Sequence, residues 1–85
     1  MKNCYALFRS KTQANIFKDV LNSKGVICRI VSTPKEARLG CGYSVVFQLV
    51  ALNEAKKIIS SRRFDAFNGF IIIEKNGLRT SSVRI

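Results

Sequence analysis

The chain has 85 residues and a formal net charge of +10, from 15 lysine and arginine residues against 5 aspartate and glutamate residues. Hydrophobic residues make up 47% and charged residues 24% of the chain, which is typical of a globular protein and excludes a disordered one. A chain of this length has room for one hydrophobic core, so we expect a single domain over residues 1–85. No stretch approaches the ~20 apolar residues of a membrane helix, and the apolar run at the start is too short for a signal peptide. We therefore expect a soluble, cytoplasmic protein with no membrane partner.

The chain opens with a predicted strand and a predicted amphipathic helix. Residues Tyr5–Arg9 form a short aromatic and apolar run, which is typical of a β-strand. The hydroxyl of Ser10 or of Thr12 can accept a hydrogen bond from a free amide, so one of them caps the helix that follows. Gly25 suits the left-handed residue that ends a helix. Three apolar residues at helical spacing share one face of it, namely Phe17, Val20 and Leu21.

A second strand and a short helix come next. Residues Val26–Val31 are rich in β-branched side chains, which predicts a strand with Cys28 and Ile30 on one face. Thr33 as N-cap, proline directly after it and glutamate three residues on together form a capping-box pattern. We therefore expect a single short turn of helix over Pro34–Leu39.

The second half of the chain predicts two or three further strands and one helix. Residues Tyr43–Leu49 alternate well enough for a strand, and Phe70–Ile73 predicts another. Between them lies an amphipathic helix, with an apolar face of Leu52, Ala55, Ile58 and Ile59. Asn76-Gly77 is a strong two-residue hairpin signal, so we expect Leu78–Val83 to return as an extra C-terminal strand.

The predicted order is β-α-β-(short helix)-β-α-β with an extra C-terminal strand. Two helices on one face of a mainly antiparallel sheet form the split β-α-β arrangement of ferredoxin-like folds. The sequence therefore predicts an α+β, ferredoxin-like two-layer sandwich.

The chain contains three cysteines and no histidine. An odd number of widely spaced cysteines does not suit the disulfide framework of a small secreted protein, so we expect reduced thiols. Without histidine or a Cys-x-x-Cys pair, the chain has too few ligands for a structural zinc site, and we expect neither metal nor cofactor. Cys4 and Cys28 lie in predicted strands among apolar neighbours, where a free cysteine is a small buried hydrophobic residue.

Cys41 is the most chemically suggestive position, because it lies between Gly40 and Gly42. The two glycines leave room for a reacting partner and allow tight turn geometry. Arg38 and Lys35 precede the thiol on the predicted short helix, and positive charge favours the thiolate. The negative end of that helix acts in the opposite direction. The residues alone therefore leave two interpretations open, a reactive thiol and a structural turn cysteine.

Several classes of function can be weighed from the residue types. A cysteine protease or acyl transferase activates its thiol with a histidine base, which this chain lacks, so we expect no enzymatic activity. The net charge allows binding to RNA or to an acidic protein. Bases could stack on the rings of Tyr5, Phe8, Tyr43 and Phe47, but these rings fit a core better. An exposed edge strand could also mediate self-association into a homo-oligomer.

Four segments carry a resemblance to a known family, namely the opening strand, the helix that begins near Ser10, the strand Val26–Val31 and the block Pro34–Phe47. Through these segments the sequence resembles the small bacterial family of selenium/sulfur carrier-like proteins, catalogued as a domain of unknown function. The resemblance covers roughly residues 4–60. It implies a two-layer α+β domain in which Cys41 carries sulfur or selenium as a persulfide or selenide. Arg38, Lys35, Gly40 and Gly42 would support that thiol.

This resemblance also implies partners, namely an enzyme that donates sulfur or selenium and a protein that accepts it. The chain lacks the helix-opening Cys-Pro-x-Pro motif of other sulfur carriers, and Gly42 stands where that proline would be. The alternative function is a basic interaction module that binds RNA or an acidic protein, with Cys41 in a structural role.

Overall fold

The structure, a computed structural model, describes residues 2–33, 42–76 and 79–84, and two helices and five strands lie within these ranges. In chain order they are β1 (Lys2–Phe8), α1 (Lys11–Ser23), β2 (Cys28–Ser32), β3 (Tyr43–Gln48), α2 (Leu52–Ser61), β4 (Phe67–Asn76) and β5 (Arg79–Arg84). A 3-10 turn over Leu49–Ala51 leads from β3 into α2. The short helix predicted over 34–39 lies outside the described residues.

The five strands form one sheet in the order β2-β3-β1-β4-β5, and all neighbouring strands are antiparallel. Helix α1 connects β1 to β2, and these two strands lie on either side of β3 in the sheet. Helix α2 connects β3 to β4, and these two lie on either side of β1. The predicted α+β class and the extra C-terminal strand are confirmed. Asn76, predicted as a turn residue, is the last residue of β4 and pairs with Arg79 of β5, while residues 77 and 78 lie outside the described residues.

The main core lies between the helices and one face of the sheet, because strand side chains alternate between the two faces. In β1, Cys4, Ala6 and Phe8 face this core and are fully buried. The aromatic ring of Phe8 lies 5.3 Å from that of Phe17 on α1, between ring centroids. It also contacts Phe64 at 5.7 Å and Phe67 at 5.5 Å, just before and at the start of β4. Phe8 therefore ties the end of β1 to α1 and to the start of β4.

The opposite face of the sheet has a smaller apolar cluster. Leu7, Ile71 and Ile73 are buried there, and Tyr5 packs against them. Both faces of the central strands are therefore apolar, which explains the near-continuous hydrophobic run at 70–73.

Helix α1 begins and ends as its sequence predicts. Ser10, rather than Thr12, is the N-cap, and its hydroxyl accepts a hydrogen bond from the amide of Gln13 at 3.3 Å. At the other end, Gly25 has a φ of 85°, a left-handed conformation that glycine adopts most easily. The amides of Gly25 and Val26 donate to Asn22 and Leu21, at 3.0 and 3.1 Å. This pair of bonds is a Schellman motif, and it satisfies carbonyls at the helix end.

Some strand boundaries differ from the predicted ones. β2 begins at Cys28 rather than Val26, because the helix exit at Gly25 leaves Ile27 outside the strand and 92% exposed. β4 begins at Phe67 rather than Phe70, since the register against β1 shifts between Leu7 and Phe8. Cys28 and Ile30 do share the core-facing side of β2, as predicted. Within the described part of the chain, neither helix is long and apolar enough to cross a membrane.

Candidate functional site

The segment that carries the proposed thiol is attached to the sheet through Thr33 and Gly42. The amide of Thr33 donates to the carbonyl of Gly42 at 3.1 Å. The hydroxyl of Ser44, which is fully buried, donates to the Thr33 hydroxyl at 3.2 Å. The two residues that flank the segment 34–41 are thus held together at the ends of β2 and β3. Four of the predicted site residues, Lys35, Arg38, Gly40 and Cys41, lie outside the described residues, and Gly42 lies within them.

Gly42 is required by the close approach of β1. A Cβ atom at this position would lie 2.9 Å from the backbone carbonyl oxygen of Phe8 and 3.0 Å from the hydroxyl oxygen of Thr33. Its φ lies outside the left-handed region, so the glycine is needed for space rather than for an unusual conformation. The sequence predicts a small residue here to leave room beside the thiol; in the structure, the space that a side chain would take is next to the Phe8 carbonyl of β1.

The base of the segment lies at the same end of the sheet as the N-terminus of α1. Phe8, the last residue of β1, pairs with Tyr43, and α1 begins three residues after Phe8. The N-terminus of a helix carries about half a positive charge, and no acidic residue in the first turn of α1 offsets it. The ammonium group of Lys11 adds a full charge, 5.8 Å from the centre of the Tyr43 ring. This end of the sheet therefore favours anions.

The connection from α2 to β4 is fastened to the same end. The amide of Arg9 donates to the carbonyl of Ala66 at 2.9 Å, and its guanidinium group donates to the carbonyl of Asp65 at 2.8 Å. The side-chain oxygen of Gln13 accepts a hydrogen bond from the amide of Ala66 at 2.9 Å. No local sequence pattern predicts these contacts. The spacing of Ser10 and Gln13 fits a capping box, yet the Gln13 side chain bonds to the distant Ala66 instead.

The two described cysteines are poor candidates for a reactive thiol. Cys4 is fully buried, and burial raises the pKa of its thiol from 9.0 to about 12. Cys28 is half-buried, and its thiol donates to the side-chain oxygen of Asn22 at 3.4 Å and to the carbonyl of Lys18 at 3.5 Å. Burial also raises the pKa of the Cys28 thiol, against the opposing charge of Lys18. Both environments therefore disfavour the thiolate that attack on sulfur requires.

Cys4 and Cys28 do not form a redox pair with each other. Both pair with Phe47 of β3, on its opposite sides. Two strand spacings place their Cα atoms about 10 Å apart, whereas a disulfide needs less than about 7 Å. Both are free cysteines in the structure, while Cys41 lies outside the described residues.

The four aromatic residues considered for base stacking do not form a common surface. Phe8 and Phe47 lie in the main core, and Tyr5 packs against the apolar cluster on the other face. Tyr43 is 37% exposed, beside Lys11. Among the residues that the structure describes, no group of histidine, cysteine, aspartate and glutamate side chains could hold a metal ion.

Comparison with known proteins gives one result. A family model described as "Putative Se/S carrier protein-like" matches residues 3–66, from β1 to the end of the α2–β4 connection. Neither the curated proteins nor the solved structures provide a significant match. The matched range covers most of the chain and confirms the resemblance to this family. The chain therefore belongs to the Se/S carrier protein-like family.

Proposed function

We propose that the chain is a carrier protein that holds one sulfur or selenium atom on Cys41 and passes it between partner enzymes. The carrier is the substrate of its partners and catalyses no reaction itself. Its partners are an enzyme that donates the atom and a protein that accepts it.

The transfer step requires no oxidant or reductant from outside. The Cys41 thiolate attacks the outer sulfur of a persulfide on the donor, and a new sulfur–sulfur bond forms on Cys41. The bond within the donor persulfide breaks, and its electron pair leaves with the donor cysteine as a thiolate. The acceptor then repeats the exchange. With selenium, the outer atom is selenium and the balance is the same.

The observation that carries the proposal is the charge at the base of the segment 34–41. The positive end of α1 and the Lys11 ammonium group both lie there, next to Gly42. This positive charge would stabilise the anionic form of a cysteine adjacent to Gly42. Cys4 and Cys28 are disfavoured by burial. The family to which the chain belongs supports the cargo, sulfur or selenium.

Two finer assignments accompany this function. The strand order β2-β3-β1-β4, with each helix joining strands that flank a third, supports a ferredoxin-like classification. A cytoplasmic location suits a carrier whose thiol must stay reduced between cycles.

Mass spectrometry tests the proposed carrier. The chain is incubated with a cysteine desulfurase and cysteine, and we expect wild-type protein to gain the mass of one sulfur atom. The matched control is Cys4→Ser/Cys28→Ser, which keeps Cys41 and should gain the same mass, while Cys41→Ser should gain none. An unmodified wild-type chain, or an equal gain in Cys41→Ser, would contradict the proposal.

A further inference from the structure

A cleft of about 530 Å³ runs between α1 and β2. Its helix side is a stripe of residues spaced i, i+4, i+7 and i+11, formed by Lys11, Asn15, Lys18 and Asn22. Its other side is β2, the outermost strand of the sheet. Ser32 and Tyr43 line the end of the cleft nearest the segment 34–41. The cleft therefore leads along the sheet to the base of the segment that contains Cys41.

The charge of this cleft is positive. Lys11, Lys18 and Arg29 line it, and its described lining includes no carboxylate. The nearest acidic contact is Asp19, whose carboxylate lies 3.8 Å from the Lys18 ammonium group and is itself largely exposed. An exposed ion pair of this kind contributes little, so Lys18 stays available to a second anion.

The outer edge of β2 adds hydrogen-bonding groups to this charge. Among the strands that the structure describes, β2 pairs with β3 only. An edge strand presents unpaired amides and carbonyls, and a strand of this length offers them over about 16 Å. An extended peptide that adds to such an edge gains main-chain hydrogen bonds, and its side chains alternate between the two faces.

The far end of β2 has an apolar surface. A second cleft of about 560 Å³ lies there, between residues 25–29 and 46–51. Ile27 and Val50 belong to its lining and are 92% and 84% exposed. Two large aliphatic side chains this exposed within one cleft indicate a contact surface for an apolar side chain.

We propose that the edge of β2 and the α1 stripe bind an extended acidic segment of a partner protein. Its main chain pairs with β2, its carboxylates contact Lys11, Lys18 and Arg29, and an apolar residue contacts Ile27. This inference rests on the proposed function, since the bound segment would bring a donor or acceptor to the end of the cleft next to the segment 34–41.

Other occupants fit these observations less well. Single-stranded RNA would use the cations but needs several exposed rings for stacking, and Tyr43 is the one aromatic residue in the described lining. If a second copy of the chain paired through its own β2, Arg29 and the lysines of one copy would lie against those of the other. These like charges would repel each other. An acidic peptide uses the charge, the strand edge and the apolar cleft together.

Fluorescence anisotropy tests the binding on the full chain with Cys41→Ser, so that the proposed carrier thiol does not contribute. The probe is a labelled peptide of consecutive glutamates with one valine at the end that would reach Ile27, so that carboxylates lie on both faces of the added strand and can meet Lys18 on one side and Arg29 on the other. It is compared with the same peptide carrying lysine in place of glutamate and with a labelled uridine oligonucleotide. The charge-reversal variant is Lys18→Glu/Arg29→Glu. Its control is Lys56→Glu/Lys57→Glu on the exposed side of α2, which changes the net charge by the same amount.

We expect the acidic peptide to bind and the lysine peptide not to bind. Reversal at Lys18 and Arg29 should weaken binding about tenfold or more, whereas the α2 control should change it about twofold or less. Amide hydrogen exchange should slow in β2 but not in β5 when the peptide is bound. Equal losses in both variants, slowed exchange elsewhere, preferred binding of RNA, or a dimer in its place would each overturn the proposal.

Persulfide loading of the wild-type chain separates this inference from the proposed function. Loading without peptide binding would overturn the docking surface alone. Peptide binding without loading would overturn the carrier function alone.

Discussion

Gly42 offers the sharpest test of how the fold positions the candidate site. In Gly42→Ala, the new methyl group would lie 2.9 Å from the Phe8 carbonyl oxygen, which is closer than such atoms approach in proteins. The neighbour at 3.0 Å, the Thr33 hydroxyl, can rotate away, but the Phe8 carbonyl belongs to the backbone. Relief of the clash therefore requires a shift of β1 or β3.

Such a shift is costly because Phe8 is held from several sides. Its backbone pairs with Tyr43 and Phe67, and its ring packs against Phe17 and Phe64. Forcing one additional methyl group into a tightly packed site costs about 1–3 kcal/mol. For a domain of this size, each kcal/mol corresponds to about 4–8 °C in melting temperature. We expect a loss within this range in urea unfolding followed by circular dichroism.

Gly25 provides the matched control. A Cβ atom there would meet nothing within 4 Å, so Gly25→Ala should be destabilising only through its left-handed φ of 85°. Asparagine tolerates that conformation, so Gly25→Asn should be the more stable of the two. At Gly42 the order should reverse, because asparagine is larger than alanine. A Gly42→Ala variant within about 0.5 kcal/mol of wild type, or the same order at both sites, would refute the steric explanation.

Two further predictions concern residues around the core. The raised pKa of Cys4 means that the unfolded chain loses this proton near pH 9 while the folded chain keeps it to about pH 12, so stability falls as the pH rises above 9. Between pH 8 and pH 10 we expect the unfolding free energy of wild type to fall by about 1 kcal/mol more than that of Cys4→Ala; parallel curves for the two proteins would contradict this. Gln13→Ala leaves the part-buried Ala66 amide without its acceptor and should cost about 1–2 kcal/mol, whereas Gln13→Glu keeps an oxygen there and should cost less in the same urea titration. Equal losses for the two substitutions would show that this hydrogen bond does not contribute.

Local patterns predicted the features that depend on neighbours in the chain. The helical spacing of Phe17 and Leu21 places both in the core, and Gly25 ends α1 because a left-handed residue is needed there. The alternation of side chains along a strand likewise placed Cys28 and Ile30 on one face of β2. In each case the determining interaction lies within a few residues of sequence.

Features that depend on strand pairing could not be predicted in this way. The sequence predicted a strand from Phe70 onward, and residues Asn68 and Gly69 were not included in it. In the structure they lie within β4, where its register against β1 shifts, and only the pairing with Leu7 and Phe8 shows this. The bond from Ala66 to Gln13 likewise joins residues that are distant in sequence.

The candidate site shows the same division. The role of Gly42 beside the thiol stays a prediction, and the steric need for glycine at this position, the Phe8 carbonyl, depends on the register between β1 and β3. The chemistry assigned to Cys41, with Arg38 and Lys35, stays a prediction. What the structure adds is the positive end of α1 beside the base of that segment.

The hydrogen bond between Thr33 and Gly42 has a practical consequence for engineering. It joins the two residues that flank the segment 34–41, so this loop is closed at its base by a hydrogen bond between described residues. Each doubling of the length of a flexible loop costs only about 0.6 kcal/mol in closure entropy. Thr33 and Gly42 are therefore natural graft points for a foreign peptide, because the hydrogen bond between them would close the inserted loop as it closes the native one.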